Sequence, residues 1–168
     1  MCIRDSNIAD DANKIETKKD NFIKFRNNFV NKNYNDPVIK NMWDLINEFS
    51  ISTKIVDDLF EGINSDIKEN VKLNSKKELL IYSYRVAGTV GLMMAKILNV
   101  HKEQSLKSAI DLGIAMQLTN ISRDVMEDKK SNRFYINESF EDIKTTIKLS
   151  EKFYDCLLYT SDAADDTC

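Results

Sequence analysis

The sequence predicts an all-α fold, and three observations point to it. Apolar residues recur at three- and four-residue spacing along most of the chain. Helix-start signals stand ahead of successive apolar runs, and the connections between those runs are short. The 168 residues include one proline and four glycines, too few to turn the strands of a sandwich or a barrel. That length predicts one domain or a piece of one.

From Asn7 to about Val30, the residues Ile8, Ala12, Ile15, Phe22, Phe25 and Phe29 form one helical stripe. Asp36-Pro37 opens a second helix, with Asp as N-cap and Pro at the first helical position. Its predicted face is Val38, Met42, Leu45, Ile46 and Phe49. Ser52 or Thr53 caps a third helix carrying Ile55, Leu59, Phe60, Ile63 and Ile67. Gly62 costs that helix about 1 kcal/mol relative to alanine, which calls for a packing reason. Ser75-Lys76-Lys77-Glu78 is a capping box. The helix behind it runs to about Leu98 and is apolar around most of its circumference, which predicts burial on several sides. A fifth helix runs from about Lys102 to Glu127. Ser139 with Asp142 caps a sixth, which carries Ile143, Ile147 and Phe153. The sequence shows no repeat, linker or low-complexity segment.

Composition excludes several functions. Hydrophobic residues at 42% and charged residues at 30% match an ordinary soluble protein. A net charge of −3 excludes a strongly basic nucleic-acid binder, so no nucleic-acid partner is expected. One histidine, His101 at a helix junction, makes a zinc site or a histidine-based triad unexpected. No run approaches the ~18 apolar residues of a membrane span, and no secretory signal precedes the first helix. A cytoplasmic location is therefore expected.

The two ends look foreign. Met1-Cys2-Ile3-Arg4-Asp5-Ser6 and Cys156-Leu157-Leu158-Tyr159-Thr160-Ser161 can be coded by strings that are reverse complements. Such ends resemble the inverted adapter of a transposase-made sequencing library. Residues 1–6 and 156–168 are accordingly set apart from the informative span, 7–155. All three cysteines, Cys2, Cys156 and Cys168, fall in those ends, which removes disulfide and thiol chemistry. Without Arg4, Asp5, Asp162, Asp165 and Asp166, basic and acidic residues balance, so any charge-based function is local.

The stretch richest in chemistry is Gln117-Leu-Thr-Asn120-Ile-Ser-Arg123-Asp124-Val-Met-Glu127-Asp128. Asn120, Asp124 and Asp128 are four apart, and each step of four turns only about 40° around a helix. The three share a face and offer oxygen ligands from successive turns, with Gln117 adding a neighbouring turn. Magnesium takes such hard donors and commonly bridges a carboxylate to a substrate phosphate. A solvated charged face is the competing reading, and for a generic acid pair it is the commoner one. Against it, acids at a helix C-terminus oppose the macrodipole unless a cation compensates. Asp57-Asp58, in a first turn after a cap, reads as structural. Asp10-Asp11 means little alone. Ala87, Gly88, Gly91 and Ala95 form a small-residue stripe, which admits either a neighbouring helix or a bulky apolar ligand. Met93, Met94 and Met116 read as core filler.

Two segments carry a resemblance. Tyr82-Ser-Tyr-Arg-Val-Ala-Gly-Thr-Val-Gly91 and Gln117 through Asp128, followed by Asn132-Arg133-Phe-Tyr135-Ile, resemble squalene/phytoene synthases. Leu59 through Asp66 also resembles a segment of that family, and the likeness spans essentially all of 7–155. Ile8-Ala9-Asp10-Asp11 resembles the second half of the family's first aspartate motif. The partner of Asp10 falls at position 6, where Ser6 stands. The resemblance thus implies a chain that begins inside that motif and stops before the C-terminal helices that complete the pocket, so that this piece alone is expected to be inactive.

The resemblance further implies an isoprenoid-synthase helical bundle around a central apolar cavity. Mg²⁺, or Mn²⁺ in its place, bridges the acids to two prenyl diphosphates. Two ionisations, with a cyclopropyl diphosphate between them, join the donors head to head. Implied metal ligands are Asp10, Asn120, Asp124 and Asp128. Asp10, Asp124, Asp128 and Tyr82 are the implied catalytic set. Gln117, Asn120, Arg123, Arg133 and Tyr135 would contact substrate, the two arginines through diphosphate oxygens. Ala87, Gly88 and Gly91 would leave room for a prenyl chain. The Arg-Val-Ala-Gly-Thr-Val-Gly string is most like bacterial phytoene synthases, which use geranylgeranyl diphosphate and no NADPH. The alternatives are a squalene or dehydrosqualene synthase using farnesyl diphosphate, and a non-catalytic relative acting as a binding or assembly protein. A greasy product also implies peripheral membrane contact.

Overall fold

The computed structural model describes residues 15–165, with side chains over 16–156. The described chain is all-α. Its helices are α1 (Ile15–Val30), α2 (Pro37–Glu48), α3 (Thr53–Asp66), α4 (Lys76–Ser83), α5 (Thr89–Ile97), α6 (Glu103–Arg123), α7 (Val125–Lys130) and α8 (Phe140–Asp165). A π-helical turn, Tyr84–Gly88, joins α4 to α5. Two short strands, β1 (Val71–Lys72) and β2 (Arg133–Phe134), pair in parallel with Val71 opposite Arg133. The chain divides into two units, one ending at Glu69 and one beginning at Asn70. α8 continues as one helix across position 156.

The first unit is built on aromatic edges. Phe60 of α3 meets Phe22, Phe25 and Phe29 of α1 edge to face, at ring distances of 6.0, 6.0 and 5.1 Å. This is the geometry ring quadrupoles favour. Phe29 also stacks on Trp43 at 5.0 Å, and the indole N–H donates to the Phe29 carbonyl at 2.9 Å. Trp43 sets the rotation of α2. The buried face is Ile39, Trp43 and Ile46, while Val38 and Met42 are half-buried and Leu45 is exposed. The face predicted from Val38, Met42 and Leu45 is therefore displaced by about one residue. The predicted caps are present: Asp36 accepts from Val38 N–H at 2.9 Å, and Ser52 from Lys54 N–H at 3.3 Å.

With few glycines, the helix ends use other residues in the left-handed region. Lys32, Ser50 and Asn99 have φ of 52°, 50° and 58°. Each precedes a Schellman-type bond reaching five residues back: Asn33 to Asn28, Ile51 to Ile46 and Val100 to Ala95.

In the second unit, Ser75 caps α4 by accepting from Glu78 N–H at 3.2 Å. The Glu78 carboxylate reaches Asn74 N–H at 2.7 Å, one residue before the usual capping-box target. The helix predicted to run unbroken to Leu98 widens into the π turn. Leu79, Tyr82, Ser83, Thr89 and Ala95 are buried along this stretch, while Ile81, Met94 and Leu98 are exposed. The core gathers Val71, Leu79, Tyr82, Ile114, Leu118, Ile121 and Tyr135. Along α8, which packs on α6, Thr146 and Ser150 are buried and bond to carbonyls of their own helix, while Ile147 is exposed. The predicted apolar position at Ile147 thus points outward, and small hydroxyl side chains take the inner face. Ser139 caps α8, accepting from Asp142 N–H at 3.1 Å.

Candidate active site

The expected helix from Lys102 to Glu127 is two helices. α6 ends at Arg123, Asp124 has φ −100° and ψ 13°, and α7 resumes at Val125. Backbone bonds carry the four-residue repeat through the break: Asp124 N–H to the Asn120 carbonyl and Asp128 N–H to the Asp124 carbonyl, both 2.9 Å. Asn120, Asp124 and Asp128 therefore keep one-turn spacing. All three are half-buried, as is Gln117 one turn upstream.

The Asp124 carboxylate is gripped from both sides by its neighbour. Arg123 Nε donates to Oδ1 at 2.7 Å and Nη2 to Oδ2 at 2.6 Å. This fork holds the Asp124 carboxyl below the usual carboxylate range and raises the guanidinium further. Arg123 itself is exposed. One helical turn on, Asp128 lines a small cleft with Arg133, Tyr135 and Ile121. Arg133 is delivered there by β2, which the ladder to β1 holds in register. Tyr135 follows directly. Its ring stacks on Tyr82 at 4.7 Å and 23°, and the two hydroxyls lie 3.0 Å apart.

Asn120, Asp124 and Asp128 offer an amide and two carboxylates, hard oxygen donors of the kind Mg²⁺ takes while keeping several waters. Among the described residues, no group of three His, Cys, Asp or Glu gathers into a metal-holding cluster. By chemistry these three side chains could supply only part of a Mg²⁺ shell, the rest coming from water, substrate oxygens or further acids. Asp10, the implied partner from the first motif, lies outside the described residues.

The small-residue stripe is filled by protein. A Cβ on Gly91 would sit 2.1 Å from the Ala109 carbonyl oxygen, and one on Gly113 2.3 Å from that of Ala87. A Cβ on Gly88 would meet Tyr84, Ile110 and Ile114 side chains at 3.0–3.4 Å. Of the two readings of Ala87, Gly88 and Gly91, the structure supports close packing against α6. It does not show these residues leaving space for a prenyl chain, because the α6 backbone occupies it.

Three features of this region escaped the sequence. Ser83, between Tyr82 and the π turn, is fully buried with its hydroxyl unpaired. The π turn is of a kind often found at functional sites, but Tyr-Arg-Val-Ala-Gly reads as ordinary helix. Asp111 of α6 is half-buried, and burial pushes its carboxyl up. It follows no cap or motif that would have flagged it. Among the described residues no helix is long and apolar enough to cross a membrane.

These features define an all-α protein with a row of hard-oxygen side chains running through a helix break, Arg123 at the break and Arg133 in the cleft beside Asp128. The squalene/phytoene synthase family model matches residues 3–140, and the chain belongs to that family. Over 118 residues it is 34% identical to the 15-cis-phytoene synthase of Pantoea ananas, covering 70% of this chain and 38% of that protein. It is 44% identical over 79 residues to the 15-cis-phytoene synthase of Paracoccus sp. (strain N81106 / MBIC 01143), covering 47% of this chain and 26% of the relative. Against phytoene synthase 1, chloroplastic, of Zea mays it is 40% identical over 99 residues, covering 55% and 24%. The chain thus spans less than two fifths of the length of these curated relatives.

Proposed function

We propose that the protein is a Mg²⁺-dependent prenyltransferase that condenses two prenyl diphosphates head to head. The donors on this reading are two molecules of geranylgeranyl diphosphate, and the product is phytoene, a carotenoid precursor, formed through a cyclopropyl diphosphate. The relatives named as phytoene synthases, bacterial and chloroplastic, support the choice of product. The observation that carries the reading is the Asn120, Asp124 and Asp128 set, kept at one-turn spacing through the break after α6, with Arg123 and Arg133 beside it.

Asn120, Asp124 and Asp128 would hold the metal with Asp10, and Mn²⁺ would serve in its place. When bound, the divalent cation supplies Lewis-acid charge that neutralises the departing diphosphate. Arg123 and Arg133 bind diphosphate oxygens, since a planar guanidinium matches two of them at once. Gln117 lies one turn from Asn120 and orients substrate or water. Tyr82 and Tyr135 present phenols from an apolar core that excludes water, which would otherwise quench an allylic cation. Acting on greasy substrates, the protein works in the cytoplasm in contact with the membrane surface.

The test is product identity with the protein at its full natural length. It is supplied with Mg²⁺ and either geranylgeranyl or farnesyl diphosphate, with and without NADPH. A C40 triene formed without reductant establishes the reading. A C30 product moves the protein to the squalene or dehydrosqualene branch. No product from either donor, with the protein folded, leaves a non-catalytic binding relative.

A further inference from the structure

Tyr82 and Tyr135 are 53 positions apart, yet the fold brings their hydroxyls to 3.0 Å and their rings to 4.7 Å. Both are buried, at 6% and 7% exposure, among Val71, Leu79, Ile114 and Leu118. The β-ladder fixes this meeting. Val71 N–H bonds to the Asn132 carbonyl and Leu73 N–H to the Phe134 carbonyl, which sets Tyr135 in register. Two phenylalanines would fill the same apolar space without taking hydroxyls out of water. The hydroxyls are retained where each satisfies the other, one donating and one accepting. Tyr135 lines the ionic cleft with Asp128 and Arg133. Tyr82 is followed in the chain by Ser83, with its buried unpaired hydroxyl, and then by the π turn.

We propose that Tyr135 is a positioning residue: through its hydroxyl bond it fixes the Tyr82 phenol and couples it to the Asp128/Arg133 cleft. The role rests on the prenyltransferase reading, in which Tyr82 meets the reacting chain and the cleft meets diphosphate. Tyr135 then sets where the Tyr82 oxygen stands while charge develops, over and above any contact its ring makes in the cleft.

The test compares Y135F, Y82F and the unaltered sequence. Y135F removes one oxygen and keeps the stacked ring, so the melting temperature should stay close to that of the parent. In the full-length protein, kcat of Y135F should fall about tenfold, by more than any change in KM, the size of one lost hydrogen bond at the transition state. By NMR on the 168-residue chain, the Tyr82 hydroxyl proton, assigned by its absence in Y82F, should shift in Y135F. A Y135F protein with parental kcat, where Y82F is inactive, overturns the positioning role and leaves the prenyltransferase reading standing. A Tyr82 hydroxyl resonance unmoved in Y135F also overturns it. If the parent makes no product from any donor, the prenyltransferase reading fails and takes this role with it.

Discussion

Replacing Gly113 by alanine tests a backbone-on-backbone contact in the second unit. The new Cβ would lie 2.3 Å from the Ala87 carbonyl oxygen, 2.6 Å from its carbon and 2.9 Å from Gly88 N, all backbone atoms. The oxygen must recede by about 0.7 Å to reach 3.0 Å, a separation below which real Cβ contacts essentially never fall. No side-chain rotation relieves the clash, so α6 and the π turn must part. Overpacking of a close-packed interior costs about 1–3 kcal/mol, and a backbone-on-backbone clash belongs at the upper end. Alanine returns about 1 kcal/mol of helix propensity. The expected net loss is about 2 kcal/mol, or roughly 4–8 °C in Tm for a chain of this size. Urea unfolding followed by far-UV circular dichroism measures it. G91A, with its Cβ 2.1 Å from the Ala109 oxygen, should behave alike. G88A is the control: it meets side-chain atoms at 3.0–3.4 Å that can yield, and should stay within about 1 kcal/mol of the parent. If G113A and G91A are as stable as the parent, the helices do not approach as closely as described. The small-residue stripe then regains the space that a prenyl chain would need.

Three further outcomes are expected. W43F removes the indole donor to the Phe29 carbonyl and part of the aromatic stack; about 1 kcal/mol for the bond and about as much for lost packing should appear in urea unfolding, and a loss under about 0.5 kcal/mol would refute the stack. R123Q should lower stability at neutral pH more than in acid. Arg123 depresses the Asp124 carboxyl in the folded state, so its contribution is present above the unfolded carboxylate range and is lost as pH falls through the folded value. The gap between the two proteins should therefore narrow below about pH 4, and a gap independent of pH would sink the pairing. On the proposed prenyltransferase reading, Mg²⁺ with a non-hydrolysable prenyl diphosphate should raise the melting temperature of the full-length protein, and D124A should abolish that rise. That rise corresponds to about 2.7 kcal/mol with ligand at a hundred times Kd, and a shift that survives in D124A removes Asp124 from the metal set.

How much of this was legible in the sequence depends on how far each feature reaches along the chain. The caps at Asp36, Ser52, Ser75 and Ser139 were, because a cap is settled within three residues by a side-chain oxygen and a nearby N–H. The acid set was legible for the same reason: four-residue spacing survives even where the helix does not. The break at Asp124 carries no glycine or proline to announce it. The face of α2 was misjudged because five apolar residues fit the period and only the Phe29 carbonyl, fourteen residues back, decides that Trp43 turns inward. The π turn carries Ala87 against Gly113 of another helix, and the phenol pair follows a two-residue ladder between segments some sixty positions apart. The site divides along the same line. Gln117, Asn120, Asp124 and Asp128 lie within twelve positions of one another, so their shared spacing can be read directly. The Tyr82–Tyr135 pair and the Gly113–Ala87 approach are brought together only by the fold, so mutagenesis guided by the acid motif alone would pass over Tyr135 and Gly113.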